Sequence, residues 1–316
     1  MDFEVLEQPL PHQHADVPGL IAVWERAVLD LIDAAELAGP EHWSTPSPCP
    51  GWSVGDLVAH VTSIERYLMG RSDPPHEPDY GSLPHAVDGL SRITEIPVDL
   101  RRSRARDEVL TEARATAAER LAELLAGPHG EADEIPGPFG RPMTVPAVLR
   151  MRTFDIWMHE QDIRVAVDMP GHLDTPAAWS AARTIVAALG YVWVKKVAAP
   201  PGSVAHLHVT GPGVSFSLAV AHLPSKDDRV PSEGDRVPSE ERRVSSRGDR
   251  ATESPIGRGE LVAPVAHPHT ELTVSFPDFV ALAGGRVPAE RGRELCTIDG
   301  DRALGESLAT NLSITP

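Results

Sequence analysis

The stretch Met151-Arg-Thr-Phe-Asp-Ile-Trp-Met-His-Glu-Gln-Asp-Ile-Arg164 decides how this chain is read. It reads as the centre of a long helix, with Asp155 and His159 four residues apart and therefore stacked on one face. A carboxylate and an imidazole at that spacing can share one divalent metal. Arg152 and Asp162 fall three residues to either side, near the same stripe. Polar groups this dense, beside apolar Val148, Met151, Met158 and Ile163, are costly on a buried face unless something satisfies them. Two ligands make an incomplete site, so a third must come from elsewhere in the chain.

Working outward, the preceding chain offers three more helices. Residues 16–38 place Leu20, Ile21, Trp24, Val28, Leu31 and Ile32 at three- and four-residue spacings and stop at Gly39-Pro40. Ser53-Val-Gly-Asp56 reads as a capping box opening a second helix to about Gly70, with a buried stripe of Leu57, His60, Val61, Ile64 and Leu68. Residues 71–100 are proline-rich and read as a surface loop, followed by a third helix over roughly 102–126 and a second loop over 129–143. Thr144 then caps the helix that carries the opening stretch, which ends near Met169-Pro-Gly171. Four helices with long loops suggest a four-helix bundle.

Beyond a further helix at roughly 177–196 the pattern changes. Ala205–Val209, Val214–Val220 and Leu272–Phe276 alternate as strands do, Pro277–Ala283 reads as a short helix, Leu295–Ile298 as a strand and Ala303–Leu312 as a last helix. The expected organisation is a bundle over 16–171 and an α+β domain over 172–316. Residues 225–256 interrupt the second unit with near-copies, Asp228-Arg-Val-Pro-Ser-Glu-Gly and Asp235-Arg-Val-Pro-Ser-Glu-Glu. The seven-residue period is no coiled coil, because each copy holds a proline and one apolar residue; it reads as a disordered, low-complexity insertion.

The totals bound the partners. A net charge of −17 over 316 residues argues against a nucleic-acid backbone or an anionic membrane surface as partner. No apolar run reaches the roughly 18 residues of a spanning helix, and no secretory signal is visible. Cys49 and Cys296, far apart, fit a reducing cytoplasm.

His60 is the third ligand these residues offer. A lone histidine in a buried stripe reads as a satisfied core residue, but one facing an Asp155/His159 pair across a bundle reads as its partner. Two imidazoles and a carboxylate suit zinc ahead of iron, nickel or manganese, and three protein ligands leave a position open for water or substrate.

At these residues the chain resembles a known family. Cys49-Pro-Gly-Trp-Ser-Val-Gly-Asp-Leu-Val-Ala-His60 together with Arg152-Thr-Phe-Asp-Ile-Trp-Met-His-Glu-Gln-Asp162 is similar to the mycothiol-dependent maleylpyruvate isomerases. The resemblance implies a DinB-like metal-binding bundle followed by a sterol-carrier-like α+β domain. It implies a metal triad at His60, Asp155 and His159, with aspartate where the isomerase has glutamate. Phe279-Val-Ala-Leu-Ala-Gly-Gly-Arg286 is similar to the family's turn whose arginine reaches toward the active site, which makes Arg286 a candidate catalytic residue. The expected function is a cytoplasmic, metal-dependent isomerase or thiol transferase that uses mycothiol on a small electrophilic substrate. The competing expectation is a sensor or carrier that binds metal or a small ligand without turnover.

Other motifs are weaker. His159-Glu160-Gln161-Asp162 lacks the second histidine of a His-Glu-x-x-His protease motif, and Glu160 points about 100° away from His159. Cys49 reads as turn packing, Trp52 and Trp157 as packing near the bundle end, and His206, His208, His267 and His269 as exposed strand positions rather than a second metal site. Asp162 can support His159 or pair with Arg152 or Arg164.

Overall fold

A computed structural model describes residues 16–127, 130–224 and 258–315 of the chain; the repeat-bearing segment at 225–256 lies outside the described residues. Helix α1 (Val17–Leu37) is opened by Asp16, whose side chain accepts from the Gly19 N–H. Helix α2 (Val54–Leu68) carries the capping box expected of it: Ser53 and Asp56 each accept the other's backbone N–H. Its first turn faces Trp43, and a side chain at Gly55 would drive into that indole.

The first departure from the sequence reading is helix α3 (Gly89–Arg102), inside the expected surface loop. Asp88 and Ser91 form a second capping box that starts it, and the helix continues through Pro97. Proline removes a backbone donor there, but packing of α3 on α2 and burial of Glu95, Val98 and Arg101 hold the helix. Helix α4 (Arg106–Ala126) follows. The second expected loop contains a short hairpin, β1 (Glu134–Pro136) with β2 (Pro142–Thr144), which delivers the chain into α5 (Val145–Ala166). Helix α5 lies along α1, and α2 lies along α4, so the helical region has five helices, with α3 added to the four expected.

Helix α6 (Pro176–Tyr191) runs on through a π-turn at Val192–Lys196 and joins the two regions, packing on α5 on one side and on the sheet on the other. By length and composition Pro176–Lys196 reaches the threshold for crossing a membrane, contrary to the sequence reading, but 56% of that window is buried inside the protein, the pattern of a core helix.

The sheet comprises β3 (Val204–Thr210), β4 (Phe216–Leu223), β5 (Arg258–Val262), β6 (Thr270–Ser275) and β7 (Cys296–Gly300), in the order β5-β4-β3-β6-β7. Among the described strands only β3 and β6 pair in parallel. Helix α7 (Phe276–Ala283) starts where β6 was expected to continue, because Ser275 caps it through the Asp278 N–H and proline follows in the first turn. A single turn, α8 (Gly292–Leu295), precedes β7, and α9 (Arg302–Thr310) closes the chain. Gly190 of α6 and Gly259 of β5 meet backbone to backbone; a Cβ built on Gly259 would lie 2.0 Å from the Gly190 carbonyl oxygen. The two regions share a core in which Trp157 of α5 lies 5.8 Å from Phe276 of α7, both fully buried.

Candidate metal centre

Helical periodicity puts Asp155 and His159 one turn apart on α5, and α2 sets His60 against them. His60 Nε2 lies 3.5 Å from Asp155 Oδ2, and His159 Nε2 lies 3.6 Å from Asp155 Oδ1. The two imidazole centroids are 5.0 Å apart and their planes cross at 76°. One ligand atom from each residue falls within 4.8 Å of the others. Gaps of 3.5–3.6 Å are long for hydrogen bonds. Two ligands about 2.0–2.1 Å from a tetrahedral ion stand roughly 3.3 Å apart, so the spacing is close to that of donors sharing an ion. Aspartate in place of glutamate still reaches both imidazoles.

The protonation states suit ligation. Burial pushes the His60 imidazole below the ordinary histidine range, against the opposing pull of Asp155. Burial pushes the Asp155 carboxyl up, but Arg152, His159 and His60 outweigh it and hold the group well below the usual carboxylate range. A neutral imidazole and an ionised carboxylate are the forms a metal takes up. Arg152 Nη1 donates to Asp155 Oδ2 at 2.7 Å while its Nε donates to buried Glu65 at 2.8 Å. Oδ2 thus accepts from Arg152 while facing His60, and Oδ1 faces His159.

Asp162 fixes the ring of His159. Its Oδ2 lies 3.0 Å from His159 Nδ1, which places the ring proton on Nδ1 and leaves the Nε2 lone pair facing Asp155. The partner of Asp162 is neither Arg152 nor Arg164 but Arg286, from the turn after α7. Arg286 Nε donates at 2.9 and 3.1 Å and Nη2 at 2.9 Å to the Asp162 carboxylate, and Nη1 donates to the Gly284 carbonyl at 2.8 Å. Arg286 therefore touches the centre through Asp162. Arg164 instead donates to Glu160, which is 1% exposed and faces His172 rather than the triad.

Two residues read as packing, Trp52 and Cys49, adjoin the centre. The Trp52 ring lies 4.8 Å from that of His60 and 5.9 Å from that of His159, and its Nε1 donates to Glu95 of α3 at 2.8 Å. Glu95 escaped the sequence reading with its helix; Asp88 three residues before Ser91 was the available signal. The Cys49 thiol lies within reach of His159 and Asp162, and burial pushes it up to about 12 despite nearby Arg286. It is a protonated, weakly reactive thiol at neutral pH. Of the four histidines expected at exposed strand positions, His267 and His269 are exposed, whereas His208 is half-buried and His206 is 3% exposed. Beside the centre, a cleft of about 190 Å³ opens between α5 and α7, with Trp157, Met158 and Val280 as apolar walls and Asp162 and Arg286 as its charged end.

Residues 24–164 match the family described as the mycothiol maleylpyruvate isomerase N-terminal domain. The match covers the helical region of this chain, a little under half of its length. The matched span contains His60, Asp155 and His159 and ends before Arg286. An uncharacterised protein of Mycobacterium tuberculosis, found in two strains, is 26% identical over 153 residues, covering 48% of this chain. The match takes in 57% of that relative's own length. Two crystal structures of mycothiol-dependent maleylpyruvate isomerase, one of them a histidine-to-alanine variant, are 14% and 13% identical. Each covers 90% of this chain and 93% of its own, with a TM-score of 0.49.

Proposed function

We propose that the protein is a metal-dependent isomerase that uses a low-molecular-weight thiol, mycothiol by family, on a small electrophilic substrate. In this reading residues 16–171 are a DinB-like bundle with one added helix, and residues 172–316 a sterol-carrier-like domain. The observation that carries the proposal is the convergence of His60, Asp155 and His159 at ligand spacing, within the span matched by the mycothiol maleylpyruvate isomerase N-terminal domain. A bound divalent ion, zinc first, would supply a Lewis acid that favours the thiolate over the thiol. His60 and His159 present Nε2, and Asp155 presents its carboxylate. Asp162 keeps the proton on the far nitrogen of His159, and Arg286 keeps Asp162 ionised and oriented. Trp52 packs against both imidazoles and excludes water from their outer faces. The cleft between α5 and α7 offers the substrate an apolar wall beside the charged pair. The protein would work in the cytoplasm, without nucleic-acid or membrane partners.

The family match and the partial exposure of the Asp155 side chain, 30%, favour turnover over passive binding, since a fully enclosed ion could not exchange a ligand. The test is zinc content of the purified protein beside His60→Ala and His159→Ala, followed by a thiol-dependent isomerisation assay on cis-configured unsaturated keto acids. Each variant is expected to lose one equivalent of zinc relative to the wild type, and activity with it. Equal zinc in all three proteins would sink the proposal.

A further inference from the structure

A second convergence of ligand atoms lies on the sheet, on residues apart from α2 and α5. Strand side chains alternate, so His206 and His208 of β3 share a face. The register sets Glu271 of β6 beside His206 and Ser217 of β4 beside His208. Leu207, Leu272 and Val274 point the other way, into the buried side on which α6, α7 and α9 pack. One ligand atom each of His206, His208 and Glu271 falls within 4.8 Å of the others. His208 Nδ1 is 2.9 Å from the Ser217 hydroxyl, and His208 Nε2 is 3.5 Å from Glu271 Oε2. The latter is again a ligand-to-ligand spacing rather than a hydrogen bond. Burial keeps the His206 imidazole neutral by pushing it below the histidine range. The remaining clusters are already accounted for. Asp30, Glu160 and His172 are neutralised by Arg26 and Arg164, and the Asp162 of the Cys49 cluster is held by Arg286.

We propose that His206, His208 and Glu271 form a second site for a divalent metal of the zinc class, separate from the centre between α2 and α5. Val265 gives the site a consequence. Its N–H donates to His206 Nε2 at 3.2 Å. A metal at Nε2 replaces that donor. A metal at Nδ1 moves the ring proton to Nε2, where it faces the amide. Either way the Val265 bond is lost on binding, and the loop between β5 and β6 is released from His206.

The experiment is zinc titration of the full chain, with His208→Ala and Glu271→Gln as separate variants, and amide exchange at Val265 with and without zinc. The wild type is expected to bind two equivalents, and each variant to lose the sheet equivalent while keeping the one that His60→Ala removes. Glu271→Gln alters a partly exposed side chain and guards against a folding defect in His208→Ala. Exchange at Val265 is expected to quicken with zinc in the wild type and to stay unchanged in both variants. Two equivalents retained in both variants, or Val265 exchange indifferent to zinc, would overturn the second site without touching the first. Loss of zinc only in His60→Ala and His159→Ala would do the same.

Discussion

Asp162→Asn tests the centre most directly, because the change is nearly isosteric and replaces no proposed ligand. In the wild type the carboxylate takes the His159 Nδ1 proton on one side and the Arg286 Nε and Nη2 protons on the other. An amide has one acceptor oxygen. Turned toward Arg286, it presents its NH₂ to His159 Nδ1, and the ring must shift its proton to Nε2, where it points at Asp155. Displacing or reorganising an outer partner of a metal-bound histidine costs about 10–100-fold in metal affinity, which is about 1.4–2.7 kcal/mol. Stability falls as well, since the side chain of Asp162 is 3% exposed and Arg286 loses its counter-ion. Breaking a buried pair costs about 3–5 kcal/mol, and the 16% exposure of Arg286 places this case toward the lower figure. The assay is competitive zinc titration against a chromophoric chelator at pH 7.5, paired with urea unfolding of the metal-free protein. Nitrogen chemical shifts of His159 report the tautomer directly. A variant that unfolds more easily but binds zinc within threefold of the wild type would refute the view that Asp162 sets the ring.

Further outcomes follow from other contacts. The metal-free protein should lose stability as pH falls below about 6.5, the unfolded histidine value. The sign is fixed by the lowered His60 imidazole, since the unfolded chain then binds a proton that the folded chain refuses. In His60→Phe this first part of the decline, up to about 1.4 kcal/mol per pH unit for each such group, should shrink to the share contributed by His206, whose imidazole is also lowered by burial, in urea midpoints taken between pH 5 and 8, while the later decline below the carboxylate range persists with Asp155. Ser53→Ala removes one half of the α2 capping box and should cost about 1 kcal/mol; an unchanged denaturation midpoint would show that Asp56 suffices alone. Gly259→Ala drives a methyl group into the Gly190 carbonyl and should cost about 1–3 kcal/mol by thermal unfolding, with zinc binding between α2 and α5 preserved.

What could be read from sequence was local. Ser53 and Asp56 announce α2 because both halves of the cap lie within one turn. Asp155 and His159 announce a shared face because four residues make just over one turn. Helix α3 was hidden by the opposite effect: the prolines around residues 74–97 signal a loop, whereas the helix is held by burial of Glu95 and Val98 against α2. Long-range partners left no local trace. Arg286 meets Asp162 across 124 residues, and Val265 meets His206 across 59. The strand rhythm predicts an exposed His206, whereas the residue is buried and meets the backbone of a loop distant in sequence. Trp52 carried no sign that Glu95 would hold it beside two imidazoles.

The pairing of β4 with β5 has a consequence for the chain between them. Leu223 and Arg258 stand opposite each other at the last rung of the ladder, with His222 and Gly259 on the rung before. The strands therefore fix the two ends of whatever joins them at the separation of a hairpin. Doubling the length of a tethered connection costs only about 0.6 kcal/mol. Lengthening by duplication, the expected origin of the repeated Asp-Arg-Val-Pro-Ser-Glu units, would therefore cost little at this rung. The rung should accept a two-residue Asn-Gly turn or an inserted reporter domain equally well, which makes it the natural place to attach a probe to this protein.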